Sequence, residues 1–258
     1  SGVRRATAAI AALLFAPPQA LPPRYTAELL RCAAFLEQVE SDIRTESRGP
    51  VQRERTGRTG VLVIRLAPDD SGSVLEAWYD SLQVWREALE GRTEPDAEGL
   101  LGGRWRGRLS ADGRYAGSAV PFVPDDVAQI MAAEGILSRF LPRLPARRLR
   151  PGEADNGAAG WALRRLQDGA GGVERYAWTL RESARERIPG DSAAVPVVRA
   201  THESGRLDWE LGRGPVGWER TIRDTVVIGA EGLGRRQVRT TIIQQIRVTR
   251  RAGSHSCG

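Results

Sequence analysis

Residues 216–251, VGWERTIRDTVVIGAEGLGRRQVRTTIIQQIRVTRR, decide the fold. From Gln237 to Arg250 the apolar or small residues Val238, Thr240, Ile242, Ile246 and Val248 fall on every second position. Arg239, Thr241, Gln245, Arg247 and Thr249 stand between them. A period of two places one set on a buried face and the other in water. The preceding run repeats the pattern, with Val216, Trp218, Ile222, Val226 and Ile228 on one face and Glu219, Arg223 and Thr225 opposite. Gly229 to Gly234 lies between the runs, where a hairpin loop needs residues that accept positive φ. The stretch therefore predicts two long antiparallel strands joined by a glycine-rich turn.

Composition bounds the rest. A chain of 258 residues that is 41% hydrophobic can bury a sizeable core without metals or disulfides. The 27% of charged residues falls among apolar alternation, which argues against disorder of the whole chain. All 38 basic residues are arginine, and lysine is absent. Such a surface of planar guanidinium forks suits carboxylates, phosphates and aromatic faces. Codon usage in a GC-rich genome also explains the bias. The net charge is only +6, because 32 acids are interleaved with the arginines. No uniformly basic block tracks a nucleic-acid backbone, so no nucleic-acid partner is expected.

Ser1 to Ala20 has the form of an export leader: Arg4 and Arg5 precede an apolar run from Ala8 to Ala16, and Gln19-Ala20 ends in a small residue. The run is too short to span a bilayer. Cleavage is left open. We adopt the reading in which the segment is retained and docks on a partner or membrane through Ile10, Leu13, Leu14 and Phe15. Residues 1–24 then form this segment and its proline-rich connector, 25–251 a single β-rich domain and 252–258 a polar tail.

Within the domain, Tyr25 to Glu40 carries Leu29, Leu30, Ala33, Ala34, Leu36 and Val39 at helical spacing behind Thr26 as N-cap, with strand character possible after Phe35. Ser41 to Ala67 predicts two runs paired across Gly49-Pro50. Val74 to Ala88 alternates, with Trp78, Leu82 and Val84 on one side and Tyr79 on the other. Leu100 to Ala116 predicts a hairpin turned at Ala111-Asp112-Gly113. A second helix is expected from Pro124, with acids in its first turn and an apolar stripe of Val127, Ile130, Met131, Ile136, Leu137 and Phe140. After a proline-punctuated crossing, Trp161–Leu166 pairs with Tyr176–Leu180 across Gly169 to Gly172. Val195–His202 is expected to pair with Leu207–Leu211 across Glu203-Ser204-Gly205. About ten strands and one or two packed helices result, as a mainly β curved antiparallel sheet or incomplete barrel.

The segment from Phe140 to Trp161, with Leu141-Pro142 and Pro145, then Pro151-Gly152-Glu153, then Trp161, resembles the LolA/LolB class of exported bacterial half-barrel proteins. The resemblance covers the order of elements across residues 25–251. It implies a half-barrel with a helix across its mouth and, in the carriers, a cavity for acyl chains. No functional residue carries over, and the cysteine that anchors lipidated members is missing.

Candidate chemistry is sparse. Cys32 and Cys257 form no metal motif. In an oxidising compartment they could form one disulfide; two unpaired thiols is the other open reading. His202 and His255 are the only histidines; the first reads as a surface residue and the second lies in the polar tail. Gly169 to Gly172 and Gly229 to Gly234 read as hairpin turns, since neither is followed by a helix or a Gly-Lys-Ser/Thr element. Asp69-Asp70 reads as a turn and Asp125-Asp126 as a helix start, without cation-binding spacing. The seven tryptophans, Trp78, Trp85, Trp105, Trp161, Trp178, Trp209 and Trp218, read as core or rim aromatics, a minority of them as cavity lining. Arg104, Arg106 and Arg108 are expected on the face opposite Trp105.

No catalytic, cofactor or metal residue is expected. The function expected is that of a non-enzymatic, exported, membrane-extrinsic subunit, in the periplasm or on the outer face of a bacterial inner membrane. Its partners would be membrane-complex subunits, a photosynthetic or respiratory complex being one conceivable host, and lipid head groups. The alternative is a periplasmic carrier of an apolar ligand.

Overall fold

The hairpin of residues 216–251 sits near the centre of a much larger sheet. A computed structural model describes residues 21–69, 72–132, 135–157, 159–188, 195–229, 237–253 and 257. Among them twelve strands form one open antiparallel sheet, not closed into a barrel. The first half of the chain supplies β1 (Ala33–Glu46), β2 (Gln52–Asp69), β3 (Gly72–Ala88), β4 (Gly91–Thr93), β5 (Trp105–Leu109) and β6 (Tyr115–Ala119). The second supplies β7 (Ala154–Asn156), β8 (Trp161–Arg165), β9 (Glu174–Ile188), β10 (Val195–Glu210), β11 (Gly214–Ile228) and β12 (Val238–Arg250).

The spatial order is β6-β5-β3-β2-β1-β12-β11-β10-β9-β8-β7, with β4 beside β3. The first and last strands thus pair at the centre, from Phe35 opposite Arg250 to Glu46 opposite Arg239. β6 and β7 are successive in sequence yet lie at opposite edges. The chain between them must therefore cross the whole sheet, and it does so over one face.

That face carries the core. Phe35 and Val39, Leu62 and Ile64, Tyr79 and Leu82, Leu207, Trp218 and Ile222, and Ile246 and Val248 are buried on it. The crossing segment adds Val127, Met131, Ile136, Leu137, Phe140, Leu141, Leu144 and Leu149. Phe140 is its central pin, with ring centroids 5.8 Å from Phe35 and 5.1 Å from Trp218. Tyr25 Oη donates to Pro142 O at 2.8 Å, and Arg24 Nη2 to Ala146 O at 2.7 Å, so the N-terminal connector clamps the segment down.

Three expectations change in this frame. The helix over Tyr25–Glu40 is a short turn, in which Thr26 Oγ1 accepts from Leu29 N at 3.3 Å, followed by β1 from Ala33. Phe35, Glu37, Val39 and Ser41 alternate into the core; the carboxylate of Glu37 at an inward position masked that period. Among the described residues the helix expected from Pro124 is α1 (Asp125–Ala128), followed by a 3-10 turn at Leu137–Arg139. Five of the six stripe residues are buried and Ile130 is half-buried, but a helix advancing about 1.5 Å per residue covers less sheet than an extended chain would. The turn expected at Glu203-Ser204-Gly205 does not exist, because β10 runs unbroken from Val195 to Glu210. Glu203 is buried there, and Gly205 leaves room for Trp178, whose ring a Cβ would strike.

β3 differs more subtly. Tyr79 pairs with Leu62 and Ser81 with Val61, so Asp80 is an extra residue, a β-bulge. Leu75, Ala77 and Tyr79 before it and Leu82 and Val84 after it consequently share the core face. Trp78 points the other way, into a small cluster with Ala34, Val61 and Val63. The Asp80 carboxylate accepts from Trp78 Nε1 at 3.1 Å, and Arg104 lies 3.6 Å over the ring. Arg106 and Arg108 are exposed opposite Trp105, as the alternation required.

Candidate docking face and the buried charges behind it

Opposite the core lies an open sheet face whose two halves differ in charge. On β1–β3 it carries Glu40, Asp42, Glu46 and Glu87 against Arg44, Arg53 and Arg55. Several of these are paired: Arg44 with Glu46 at 2.7 Å, and Arg55 with Glu40 at 3.8 Å and Glu87 at 3.5 Å. On β9–β12 the strand registers bring a different set together. β9 presents Arg175, Arg181, Arg185 and Arg187; β10 presents Arg206, β11 Arg223, and β12 Arg239 and Arg247. Only Asp208 and Glu219 oppose them over residues 175–187, 196–208, 217–227 and 239–249. Eight positive charges less two negative gives +6, as much as the whole chain's formal net charge of +6.

All eight arginines are exposed. Arg175 lies 3.6 Å from Asp208, while the other seven have no ion pair within the described residues. Glu219 stands directly between Arg206 and Arg247 in the register, and all three line an open, largely polar groove of about 910 Å³. A second groove of about 540 Å³ adds Arg175, Asp208 and Thr249. Val198 and Ile243 are exposed among the arginines, so the face offers aliphatic contact as well as charge. Unpaired guanidinium groups on a rigid sheet are arranged to receive carboxylate or phosphate oxygens with little further ordering cost.

The core face holds charges of another kind. Glu37 accepts from Arg58 Nε at 3.0 Å, Arg58 Nη2 at 2.8 Å and Tyr79 Oη at 2.6 Å. Burial opposes ionisation of Glu37, yet the Arg58 charge and these hydrogen bonds outweigh it and hold the carboxyl below its ordinary value. Burial and the Glu37 charge push the Tyr79 hydroxyl well up. Glu203 accepts from Trp178 Nε1 at 2.8 Å and Arg220 Nη1 at 3.3 Å, and Arg220 Nη2 donates to Phe140 O at 2.7 Å. Burial pulls the Arg220 guanidinium below its ordinary value, against the pull of Glu203. Glu174 is held by Arg148, by Arg165 at 3.2 Å and by Tyr176 Oη at 2.6 Å. Each carboxylate has an arginine partner and at least one further donor, which offsets the cost of burying its charge. These groups bind strand to strand and sheet to crossing segment.

The sequence candidates fall as follows. Cys32 and Cys257 are bonded, with Cα atoms 6.0 Å apart, at the open-face end of β1. His202 is exposed, but lies mid-strand between Arg181 and Arg223 rather than beside a turn. Gly169 to Gly172 forms the β8–β9 turn, and Asp125-Asp126 the first turn of α1. Trp105, Trp178, Trp209 and Trp218 belong to the core, Trp161 packs at its rim, and Trp85 lies under Arg55 and Arg92 on the open face. Trp161 and Trp178 also line a small cleft of about 220 Å³ beside Glu203 and Arg220. Ile10, Leu13, Leu14, Phe15, His255 and most of Gly229 to Gly234 lie outside the described residues. Among those described, no three His, Cys, Asp or Glu side chains are grouped to hold a metal, and no helix is long and apolar enough to cross a membrane. The arginine face was not singled out from sequence. The arginines were visible in four separate runs, four of them in phase along β9, two in β12 and one each in β10 and β11, and only the register adds them together.

No family model and no curated protein matches the chain. Among solved structures it is similar to a lipovitellin, described under lipid–protein interactions. The identity is 11% and the TM-score 0.46, over 88% of this chain and 26% of that one. A likeness at that level carries no argument about function.

Proposed function

We propose that this chain is a non-enzymatic, membrane-extrinsic docking subunit. It holds its arginine face against acidic surfaces of membrane-protein subunits and the lipid head groups around them. The observation that supports the reading is the set of seven exposed arginines on one face of β9–β12 that have no ion pair among the described residues. A sheet that needed these residues only for solubility would interleave them with acids, as the β1–β3 half does. Basic residues near an anionic surface each add about 1 kcal/mol of attraction.

The carrier reading suggested by the half-barrel resemblance calls for an enclosed apolar cavity. Phe140, Trp218 and Phe35 fill the centre of the core face instead, and the grooves on the other face are open rather than enclosed.

The test is purification of the tagged chain from its native membranes in mild detergent, with mass spectrometry of its companions. Wild type should bring down membrane subunits in fixed stoichiometry, and Arg206→Glu with Arg247→Glu should lose them as high salt does. A free monomer from wild type would sink the reading. Saturable uptake of a fluorescent fatty acid by that monomer would put the carrier in its place.

A further inference from the structure

Beyond the charged face, the sheet has a long backbone edge that is unpaired among the described residues. β8 pairs with β9 only from Trp161 opposite Leu180 to Arg165 opposite Tyr176. The neighbouring chain then turns away, with positive φ at Ala159 and Gly160, after Gly160 O accepts from Arg181 N at 3.1 Å. β9 itself continues to Ile188, paired on its other side with β10 throughout. Residues 182–188 of β9 therefore have a neighbour on one side only among the described residues.

The ladder fixes which groups are left over. In an antiparallel strand, residues bond alternately to the two neighbours. Arg181 N bonds toward β8, as does Arg175 O, which accepts from Leu166 N. Odd-numbered residues of β9 thus point their N–H and C=O outward, and Ser183, Arg185 and Arg187 extend the series past the end of β8. On the far side, Gly229 N donates to Pro196 O, so even residues of β10 bond to β11 and odd ones to β9. Glu182, Ala184 and Glu186, opposite Thr201, Arg199 and Val197, are accordingly satisfied by β10.

We infer that this edge accepts an extended segment of a partner protein by strand addition, the segment carrying acidic residues at every second position. Three outward donors and three outward acceptors supply the affinity. Side chains supply the code. Arg181, Arg185 and Arg187 face the open side, Glu182 and Glu186 the core side, all are exposed, and none has an ion pair among the described residues. An incoming strand is therefore complementary when it carries acids on its open-side face and basic or aliphatic residues on its core-side face.

A second copy of the chain fits poorly. A two-fold axis through the edge pairs residues whose numbers have a constant sum. Because odd residues face outward in both copies, the sum is even, and every such axis centred on residues 182 to 187 sets arginine opposite arginine or glutamate opposite glutamate. Like charges directly opposite are destabilising, so the edge is protected against itself while open to a complementary strand.

The probe is a labelled peptide, Glu-Lys-Glu-Val-Glu-Lys-Glu-Val, titrated into the whole protein by fluorescence anisotropy, with hydrogen exchange of the same samples. Two analogues carry backbone N-methyl groups on the odd or on the even residues, leaving charge unchanged. One analogue should bind about tenfold or more weakly, and the other like the parent, because only one phase faces the edge. The amides of Ser183, Arg185 and Arg187 should gain protection on binding. Equal binding of both analogues would mean attraction to the arginine face without strand addition, overturning this inference and leaving the docking role intact. Absence of binding would also overturn it. So would protection of the three amides without peptide that rises with protein concentration, which would assign the edge to a second copy.

Discussion

At the scale of single residues, the molecule is organised by charges placed where apolar side chains are expected. Glu37 is fully enclosed by Arg58 and Tyr79, so Glu37→Gln leaves the Arg58 guanidinium buried without its counter-charge. We expect it to cost about 3–5 kcal/mol in urea unfolding. The pH dependence has a definite sign. The Glu37 carboxyl is held below its ordinary value in the folded state, near 4.3 in the unfolded chain. Its contribution is complete above that unfolded value and disappears as pH falls through the lower folded one. Between about pH 6 and pH 2 the wild type should thus lose more stability than Glu37→Gln; parallel curves would refute the assignment. The same residues set the limit of what was legible. Trp218, Ile222, Ile246 and Val248 announce their face by apolarity alone. Glu37 in β1 and Glu203 in β10 hide theirs, because a carboxylate signals the core only when its partner from another strand is known.

At the scale of elements, period two was readable where a strand kept one phase and its inward residues were apolar, as in the paired β11 and β12. It failed in β3, where the phase changes at Asp80, and in the crossing segment, where apolar spacing suited a helix that the span does not permit. The bulge gives a sharp contrast between two variants. Asp80→Ala removes an exposed carboxylate and one bond to Trp78, and should shift the thermal midpoint by only a few degrees. Deletion of Asp80 removes the extra residue, so either Leu82 and Val84 or Leu75, Ala77 and Tyr79 must turn to the open face. We expect the deletion to abolish cooperative unfolding in calorimetry; a midpoint close to that of Asp80→Ala would show that the sheet absorbs the phase change elsewhere.

At the scale of the whole molecule, each half of the chain is a meander that grows outward from, or inward to, the central pair β1–β12. This pairing of the first and last strands was not legible, since nothing in either strand names a neighbour some 200 residues away. The Cys32–Cys257 bond closes that circuit across a separation of 225 residues. Closing so long a loop constrains the unfolded chain by up to about 5 kcal/mol in the chain-entropy account. Addition of reductant should therefore lower the urea midpoint of the wild type and leave Cys32→Ser with Cys257→Ser, already weakened, unchanged.

The position of that bond has a mechanical meaning. The beginning of β1 and the end of β12 lie at the same end of the central ladder, Phe35 opposite Arg250. Tension applied through the two flanking chains would peel this ladder one rung at a time, the weakest direction in which an antiparallel pair can be loaded. With the sulfurs joined ahead of the first rung, the pull passes through a covalent link and never reaches the strands. A pull on the two flanking chains is thus carried by the disulfide rather than by the hydrogen bonds of the central ladder.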